Sequence, residues 1–286
     1  MKYEEKIKYN EQNIKVCIRM RPLLSYEDSQ FWKIDPCKNI IYTNNYYNEE
    51  NENIYKSNIN KKISFDYSIY TPQKFIFDKI YSIDSKSQII YKEMCQDAVE
   101  NVIIGYNSSI FMYGQTTSGK TFTMLGTPYD PGILPCSLHN IFYNINNISQ
   151  NNKNIFFNVY CTYIEIYNEN IHDLLSNSQN LKLIEDKKYG VIVVGAKRVH
   201  IRNFEEGIGV KDYGEENRKY RETVFNEFSS RSHCIFQIYI ESTLEQEKYN
   251  KSKYSCLNLI DLAGSERIND LDSKNNSYFF NNLIFY

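Results

Sequence analysis

No Cys-x-x-Cys pair occurs among the seven cysteines at positions 17, 37, 95, 136, 161, 234 and 256. That removes the ligand spacing of a zinc site, and the odd count argues against a disulfide framework. Reduced thiols, and hence a cytosolic protein, are the expectation. No apolar run approaches the length of a membrane span; 191–194 (VIVV) is among the longest. The first residues, MKYEEKIKYNEQN, are charged and lack an apolar centre, so they do not read as a signal peptide and are set apart as an extension, 1–13. An excess of one charge is missing too. Lys and Arg total 33 against 35 Asp and Glu, a net charge of −2. The molecule as a whole therefore has no bias toward nucleic acid or membrane, and an acidic partner would need a local basic patch. There is no internal repeat and no obvious linker.

What is present is 286 residues with 42% hydrophobic and 24% charged side chains, enough for one large α/β domain. Asn, Tyr, Lys and Ile are heavily used, most visibly at 42–62, which reads as a solvated surface insertion with little apolar area to bury. Residues 14–18 (IKVCI), 109–113 (SIFMY), 155–167, 234–242 and 254–262 read as strands, and 62–67 and 74–80 as short strands or loop anchors. Residues 87–104 have apolar positions three and four apart and read as a helix, and a helix opens at Lys120. The segment 168–175 reads as a turn and short helix, and 182–201 as a hairpin. A helix over 204–221 contains three glycines, each costing roughly 1 kcal/mol against alanine, and is expected to be frayed or bent. Strands interleaved with helices point to a layered α/β sheet.

Gly114-Gln115-Thr116-Thr117-Ser118-Gly119-Lys120-Thr121 matches G-x-x-x-x-G-K-[ST], between a strand and a helix. Glycines let successive backbone N–H groups turn toward a phosphate, and the following helix adds its positive end. Lys120 would reach the β- and γ-phosphates, and Thr121 would place a hydroxyl on Mg²⁺. A nucleotide enzyme of this kind also needs a second group on the Mg²⁺ side and a sensor for the γ-phosphate. Asp261, at the end of a buried strand, suits the first. Gly264, with no side chain, can bring its N–H to a phosphate. Taken alone, D-x-x-G is also an ordinary strand-ending turn. Asn226-Glu-Phe-Ser229-Ser230-Arg231-Ser232-His233 supplies hydroxyls for phosphate or Mg²⁺ and an arginine able to pair with Glu266. Taken alone, it is also a polar loop.

Together, 114–121, 226–233 and 258–267 (NLIDLAGSER) resemble the phosphate loop, switch I and switch II of the kinesin family, in that family's order. Ile18-Arg19-Met20-Arg21-Pro22-Leu23 resembles its adenine-side segment, and Phe122 takes the place of its other adenine neighbour. Tyr106-Asn107, 164–175 (IEIYNENIHDLL) and 214–218 (GEENR) are similar as well, so the resemblance runs from about Ile14 to Arg267. Thr117 and the IYNENIHDLL stretch lean toward the centromere-associated class.

The resemblance implies a kinesin-type P-loop NTPase fold, a central mixed β-sheet flanked by helices on both faces. It implies Mg²⁺ and ATP as ligands, ATP hydrolysis and movement on microtubules. Lys120 would carry β/γ-phosphate charge, Thr121 and Ser230 would meet Mg²⁺, and Asp261 would hold its water shell. Gly264 would sense the γ-phosphate, Asn226 and Ser229 would hold switch I closed, and Arg231 would pair with Glu266. Arg19, Arg21, Pro22 and Phe122 would contact the base, and residues 114–121 the phosphates. Lysines and arginines between 182 and 202 fall where the family meets tubulin; they also read as an ordinary solvated hairpin. The implied setting is the microtubule cytoskeleton, with no nucleic acid or membrane partner, and with dimerisation through a stalk that this chain does not include.

After Arg267 the resemblance stops. The tail, 268–286, carries no recognisable switch II helix or basic loop and is expected to be disordered or a gene-model artefact, with the last third of the domain missing. On that expectation the chain shows weak or no microtubule-stimulated ATPase, and a non-motile, nucleotide- and tubulin-binding module is the alternative to a motor. An unrelated GTPase is disfavoured, because Asn60-Lys61 lacks the Asp of a guanine-reading N-K-x-D.

Overall fold

The computed structural model describes residues 14–25, 32–43, 73–187, 190–225, 229–245, 250–266 and 283–285. Its centre is set by three long strands: β7 (Ile155–Tyr167), β12 (His233–Glu245) and β13 (Asn250–Asp261). In β12 the residues Cys234, Phe236, Ile238 and Ile240 are buried, while the residues between them are half-buried. A strand alternates faces at every residue, so this period of two puts one face of the sheet into the core. β12 runs antiparallel to both β7 and β13. β8 (Asn170–Asp173) and β11 (Val199–Ile201) lie in tandem on the other edge of β7. β6 (Ser108–Met112) closes the six-stranded sheet in parallel with β13, with Asp261 opposite Met112. The carboxyl ends of two adjacent parallel strands therefore lie side by side, the position where open α/β sheets place ligands.

Smaller sheets surround this one. β1 (Cys17–Met20) pairs in parallel with β5 (Lys79–Tyr81) and antiparallel with β14 (Leu283–Phe285). β2 (Trp32–Asp35), β3 (Ile40–Thr43) and β4 (Lys74–Ile76) form a second. β9 (Lys182–Asp186) and β10 (Gly190–Val194) form the expected hairpin. The strand expected at 62–67, most of the insertion at 42–62 and most of the tail at 268–286 lie outside the described residues.

The helix expected at 87–104 is α1 (Ser87–Ile90) and α2 (Gln96–Ile103), joined by a π-helical turn at Tyr91–Cys95. The wide turn moves the buried stripe along, so that Ile90, Tyr91, Cys95, Val99, Val102 and Ile103 all enter the core. α3 (Lys120–Leu125) follows the phosphate loop. α4 (Ile133–Asn151) buries Ile133, Leu134, Leu138, Ile141, Phe142 and Ile145, the three-and-four spacing of a one-sided helix.

Two local expectations are corrected. Residues 170–173 form a strand rather than a short helix, because Asn168 and Glu169 both adopt positive φ (46° and 63°) and close a two-residue hairpin. And α5 (Phe204–Phe225) is one unbroken helix of 22 residues rather than a frayed one. Two of its glycines are packing sites. A Cβ on Gly214 would lie 2.3 Å from Tyr163 Cδ1, and one on Gly207 2.9 Å from Leu138 Cδ2. Their absence lets the helix sit low on the sheet. At its start, Asn203 Oδ1 accepts the Glu206 N–H and the Glu206 carboxylate accepts the Arg202 N–H, each at 2.8 Å. Gly209 instead faces open space. Gly214→Ala should therefore cost about 1–3 kcal/mol by overpacking, whereas Gly209→Ala should stabilise by roughly 0.5–1 kcal/mol. Denaturant midpoints of the two variants check this; equal shifts would contradict it.

Candidate nucleotide site

The phosphate loop leaves β6 and returns through α3. Two of its residues have left-handed backbones, Thr117 (φ 65°) and Gly119 (φ 98°). For glycine this is free, but for a β-branched residue it is strained by roughly 1–2 kcal/mol. Thr117→Gly relieves that strain while adding about 0.5–1 kcal/mol of unfolded-chain entropy. A net gain of roughly 0.5–1 kcal/mol in unfolding free energy is expected, and a lower denaturant midpoint would contradict it.

Within the loop, the Lys120 ammonium is buried and donates to the carbonyls of Gly114 (2.9 Å) and Gln115 (2.7 Å). Burial lowers its pKa, while Asp261 and Glu266 pull the other way and favour the charged form. Thr121 Oγ1 donates to Asp261 Oδ2 at 2.5 Å. Asp261 is itself raised by burial, against the opposing effects of the Thr121 hydroxyl, Arg218 and Lys120. Three buried side-chain oxygens around the loop have no hydrogen-bond partner among the described residues: Gln115 Oε1, Ser118 Oγ and Asp261 Oδ1. Such orphans are costly unless something hydrogen-bonds or coordinates them. A carboxylate and a hydroxyl side by side are the hard oxygen donors that Mg²⁺ takes, and Mg²⁺ commonly uses only one or two protein ligands alongside phosphate and water. In keeping with this, no group of three or more His, Cys, Asp or Glu among the described residues could hold a metal alone. The residues present fit a Mg²⁺–phosphate group.

Switch II is fastened to its neighbours through its backbone. Four successive amides donate, Leu262 to Met112 O (3.2 Å), Ala263 to His233 Nδ1 (3.0 Å), Gly264 to Ser230 O (2.7 Å) and Ser265 to Gly114 O (3.1 Å). The Glu266 carboxylate accepts the Thr116 N–H at 2.9 Å and the Thr116 hydroxyl. Burial would raise this carboxyl, but the Thr116 hydroxyl and the amides of Glu266 and Thr116 outweigh it and hold the pKa below its usual value. The described contacts of Glu266 thus run to the phosphate loop. Gly264 has no room for a side chain unless Glu266 moves, since a Cβ would meet its carboxylate at 2.3 Å. In switch I, Ser229–Arg231 is a 3-10 turn before β12, with Ser230 half-buried and Arg231 exposed. Asn226 lies outside the described residues.

On the base side, Arg19 faces inward. Its guanidinium donates to Ser87 Oγ and Thr123 Oγ1 (each 3.0 Å) and to Ser85 O (2.9 Å), and lies 3.7 Å from Asp130. Asp130 also accepts from the Ser87 N–H and hydroxyl. The Arg19 guanidinium stands over the Phe122 ring, 5.1 Å from its centroid, and that ring is 44% exposed. Arg21 is buried and donates to Pro22 O at 2.8 Å, while Pro22 is exposed. The geometry leaves the Phe122 ring and Pro22 as the surfaces open to a base, with Arg19 behind them as a brace.

Residues given no role so far support this site from below. Arg221 Nε lies 3.2 Å from Glu165 Oε2 in a buried pair. Arg218 lies 3.7 Å from Glu215, whose carboxylate accepts the Tyr163 hydroxyl, and its charge acts on Asp261. The signal available in advance was the charge density of 215–221 on a helix leading into switch I.

Comparisons with known proteins agree with this geometry. A family model described as the kinesin motor domain matches residues 19–281. Kinesin-like protein KIN-7N of Arabidopsis thaliana is 35% identical over 262 residues, covering 90% of this chain and 28% of that protein. Centromere-associated protein E of Homo sapiens is 34% identical over 266 residues, covering 89% of this chain and 9% of that protein. The chain thus spans less than a third of either relative. A solved structure reported as "Structure of a fast kinesin: Implications for ATPase mechanism and interactions with microtubules" superposes with a TM-score of 0.74 at 28% identity, over 91% of this chain and 68% of that one.

Proposed function

The chain belongs to the kinesin motor-domain family, and on that premise we propose that it binds Mg²⁺ and ATP at the loop 114–121 and hydrolyses the nucleotide as part of a microtubule motor. The observation that carries the reading is the meeting of Lys120, Thr121 and Asp261 with three orphaned buried oxygens at the ends of β6 and β13.

In this reading Lys120 exchanges loop carbonyls for phosphate oxygens. Thr121 and Ser230 would hold Mg²⁺, Asp261 would act through water, and the ion would neutralise charge at the phosphates. Gly264 reports the γ-phosphate through its N–H. Asn226, Ser229 and an Arg231–Glu266 pair hold the switches around it. Residues 114–119 wrap the phosphates. Phe122 and Pro22 take the base, with Arg19 and Arg21 setting their positions. No side chain here is arranged as a strong base, so catalysis rests on positioning and on preorganised charge. The β9–β10 hairpin, with Lys182 and Lys187 beside exposed Leu183, Ile184 and Val191, is the surface offered to acidic tubulin. The place of action is then the microtubule cytoskeleton.

Steady-state ATP hydrolysis by the purified chain, with and without microtubules, tests the proposal. A Mg²⁺-dependent rate is expected, and a rise with microtubule concentration would mark a motor. Nucleotide binding and tubulin binding without any rise would favour a non-motile module.

A further inference from the structure

Of the four successive switch II amides, three donate to backbone carbonyls that no substitution removes. The fourth, Ala263, donates to a side chain, the imidazole of His233, at 3.0 Å. We propose that His233 is a positioning residue that ties switch II to switch I, setting the place of the Gly264 amide one residue further on.

The register explains why a side chain is needed at this point. The ladder between β12 and β13 ends at Cys234 opposite Asp261. The next residue back on β12 is His233, whose own backbone pairs with Ile166 of β7 on the other side. Beyond Asp261 the chain turns off the sheet toward the phosphate loop, and the amide of Ala263 has no strand carbonyl in front of it. The imidazole reaches across and supplies the acceptor. Because the donor is a backbone N–H, Nδ1 must accept, so the neutral ring carries its proton on Nε2. The bond stands next to that of Gly264 to Ser230 O at 2.7 Å, so adjacent amides of switch II are held by residues 230 and 233 of switch I. Leu262 and Ser265, on either side, are held instead by Met112 and Gly114 on the phosphate-loop side. Losing the imidazole would leave the turn anchored to the loop and, among the described backbone bonds of 262–265, joined to switch I by that of Gly264. The inference rests on the nucleotide reading for its consequence, because Gly264 matters through the phosphate it is proposed to sense.

Asparagine places its Oδ1 at the same distance along the side chain as Nδ1, so His233→Asn can keep the acceptor while His233→Ala cannot. Hydrogen exchange of the nucleotide-free 286-residue chain, resolved at single amides, compares the two variants with the parent. In His233→Ala the Ala263 amide should exchange about fivefold faster, the loss of one ordinary hydrogen bond, with Leu262 unchanged. In His233→Asn it should stay within about twofold of the parent. A matching rise at Leu262 would mark a merely structural role and overturn the proposal, as would an unchanged Ala263 amide or an Asn variant as fast as Ala. In a second arm, a fluorescent, non-hydrolysable ATP analogue should leave His233→Ala about fivefold faster than the parent, and an unchanged release rate would overturn the link to nucleotide. Failure of the parent to bind the analogue would count against the nucleotide reading, while the exchange arm still decides the role of His233.

Discussion

Replacing Lys120 with alanine is expected to weaken Mg²⁺-nucleotide binding by about two orders of magnitude while leaving the fold in place. The ammonium is buried and, among the described residues, bonded to the Gly114 and Gln115 carbonyls; burial lowers its pKa, while Asp261 and Glu266 oppose that shift. A charged hydrogen bond is worth about 1.5–3 kcal/mol. Losing the bonds to two phosphates should therefore remove roughly 3 kcal/mol of affinity, close to 10²-fold. The thermal midpoint should move by only a few degrees, since Asp261 retains Thr121 and the charge of Arg218. Equilibrium titration with a fluorescent, non-hydrolysable ATP analogue, which carries both phosphates, reads the effect. A loss of less than tenfold would mean that the loop holds phosphate mainly through its backbone.

The second large effect concerns the floor of the site. Glu165 on β7 and Arg221 on α5 form a pair whose side chains are only 4% and 8% exposed. Replacing either one alone leaves the other charged in a dry environment, at a cost of about 3–5 kcal/mol. Arg221→Met and Glu165→Leu are therefore each expected to lower the unfolding free energy by that amount. The double substitution should recover most of the loss, because an apolar pair of similar volume needs no compensation. Urea unfolding of the four proteins makes the cycle. Additive losses, with no recovery in the double variant, would show that the two charges do not depend on each other. This pair fastens the last turns of α5 before switch I, so the same variants should also loosen the Ser229–Arg231 turn.

The candidate nucleotide site could be proposed from the sequence because its parts are short and carry their chemistry locally. The spacing of Gly114, Gly119, Lys120 and Thr121 states a phosphate loop, and Asp261 at the end of an alternating strand states its neighbour. The long strands β12 and β13 were legible for the same reason, a strict period of two. What failed was what depends on distant partners. The glycines of α5 read as helix breakers because propensity is local, yet Gly214 answers to Tyr163, 51 positions earlier in the chain. The turn at Asn168-Glu169 closes a hairpin without glycine, so a pattern search passes over it. Arg19 was legible as part of the base-side segment, but its partners Ser87, Thr123 and Asp130 converge on it only in the fold. The contacts of Glu266 with Thr116 and of Ala263 with His233 likewise exist only once β6, β12 and β13 lie side by side. The stripe of α4 at 133, 134, 138, 141, 142 and 145 was present in the sequence, inside a run rich in asparagine.

The central claim is that the ends of β6 and β13 form a Mg²⁺-dependent nucleotide site. Titration of the 286-residue chain with fluorescent ADP, with Mg²⁺ and then with excess chelator, tests it most directly. Saturable one-to-one binding is expected, displaced by unlabelled ATP and weakened at least tenfold by the chelator. Binding that is absent, or equally tight without Mg²⁺, would contradict it.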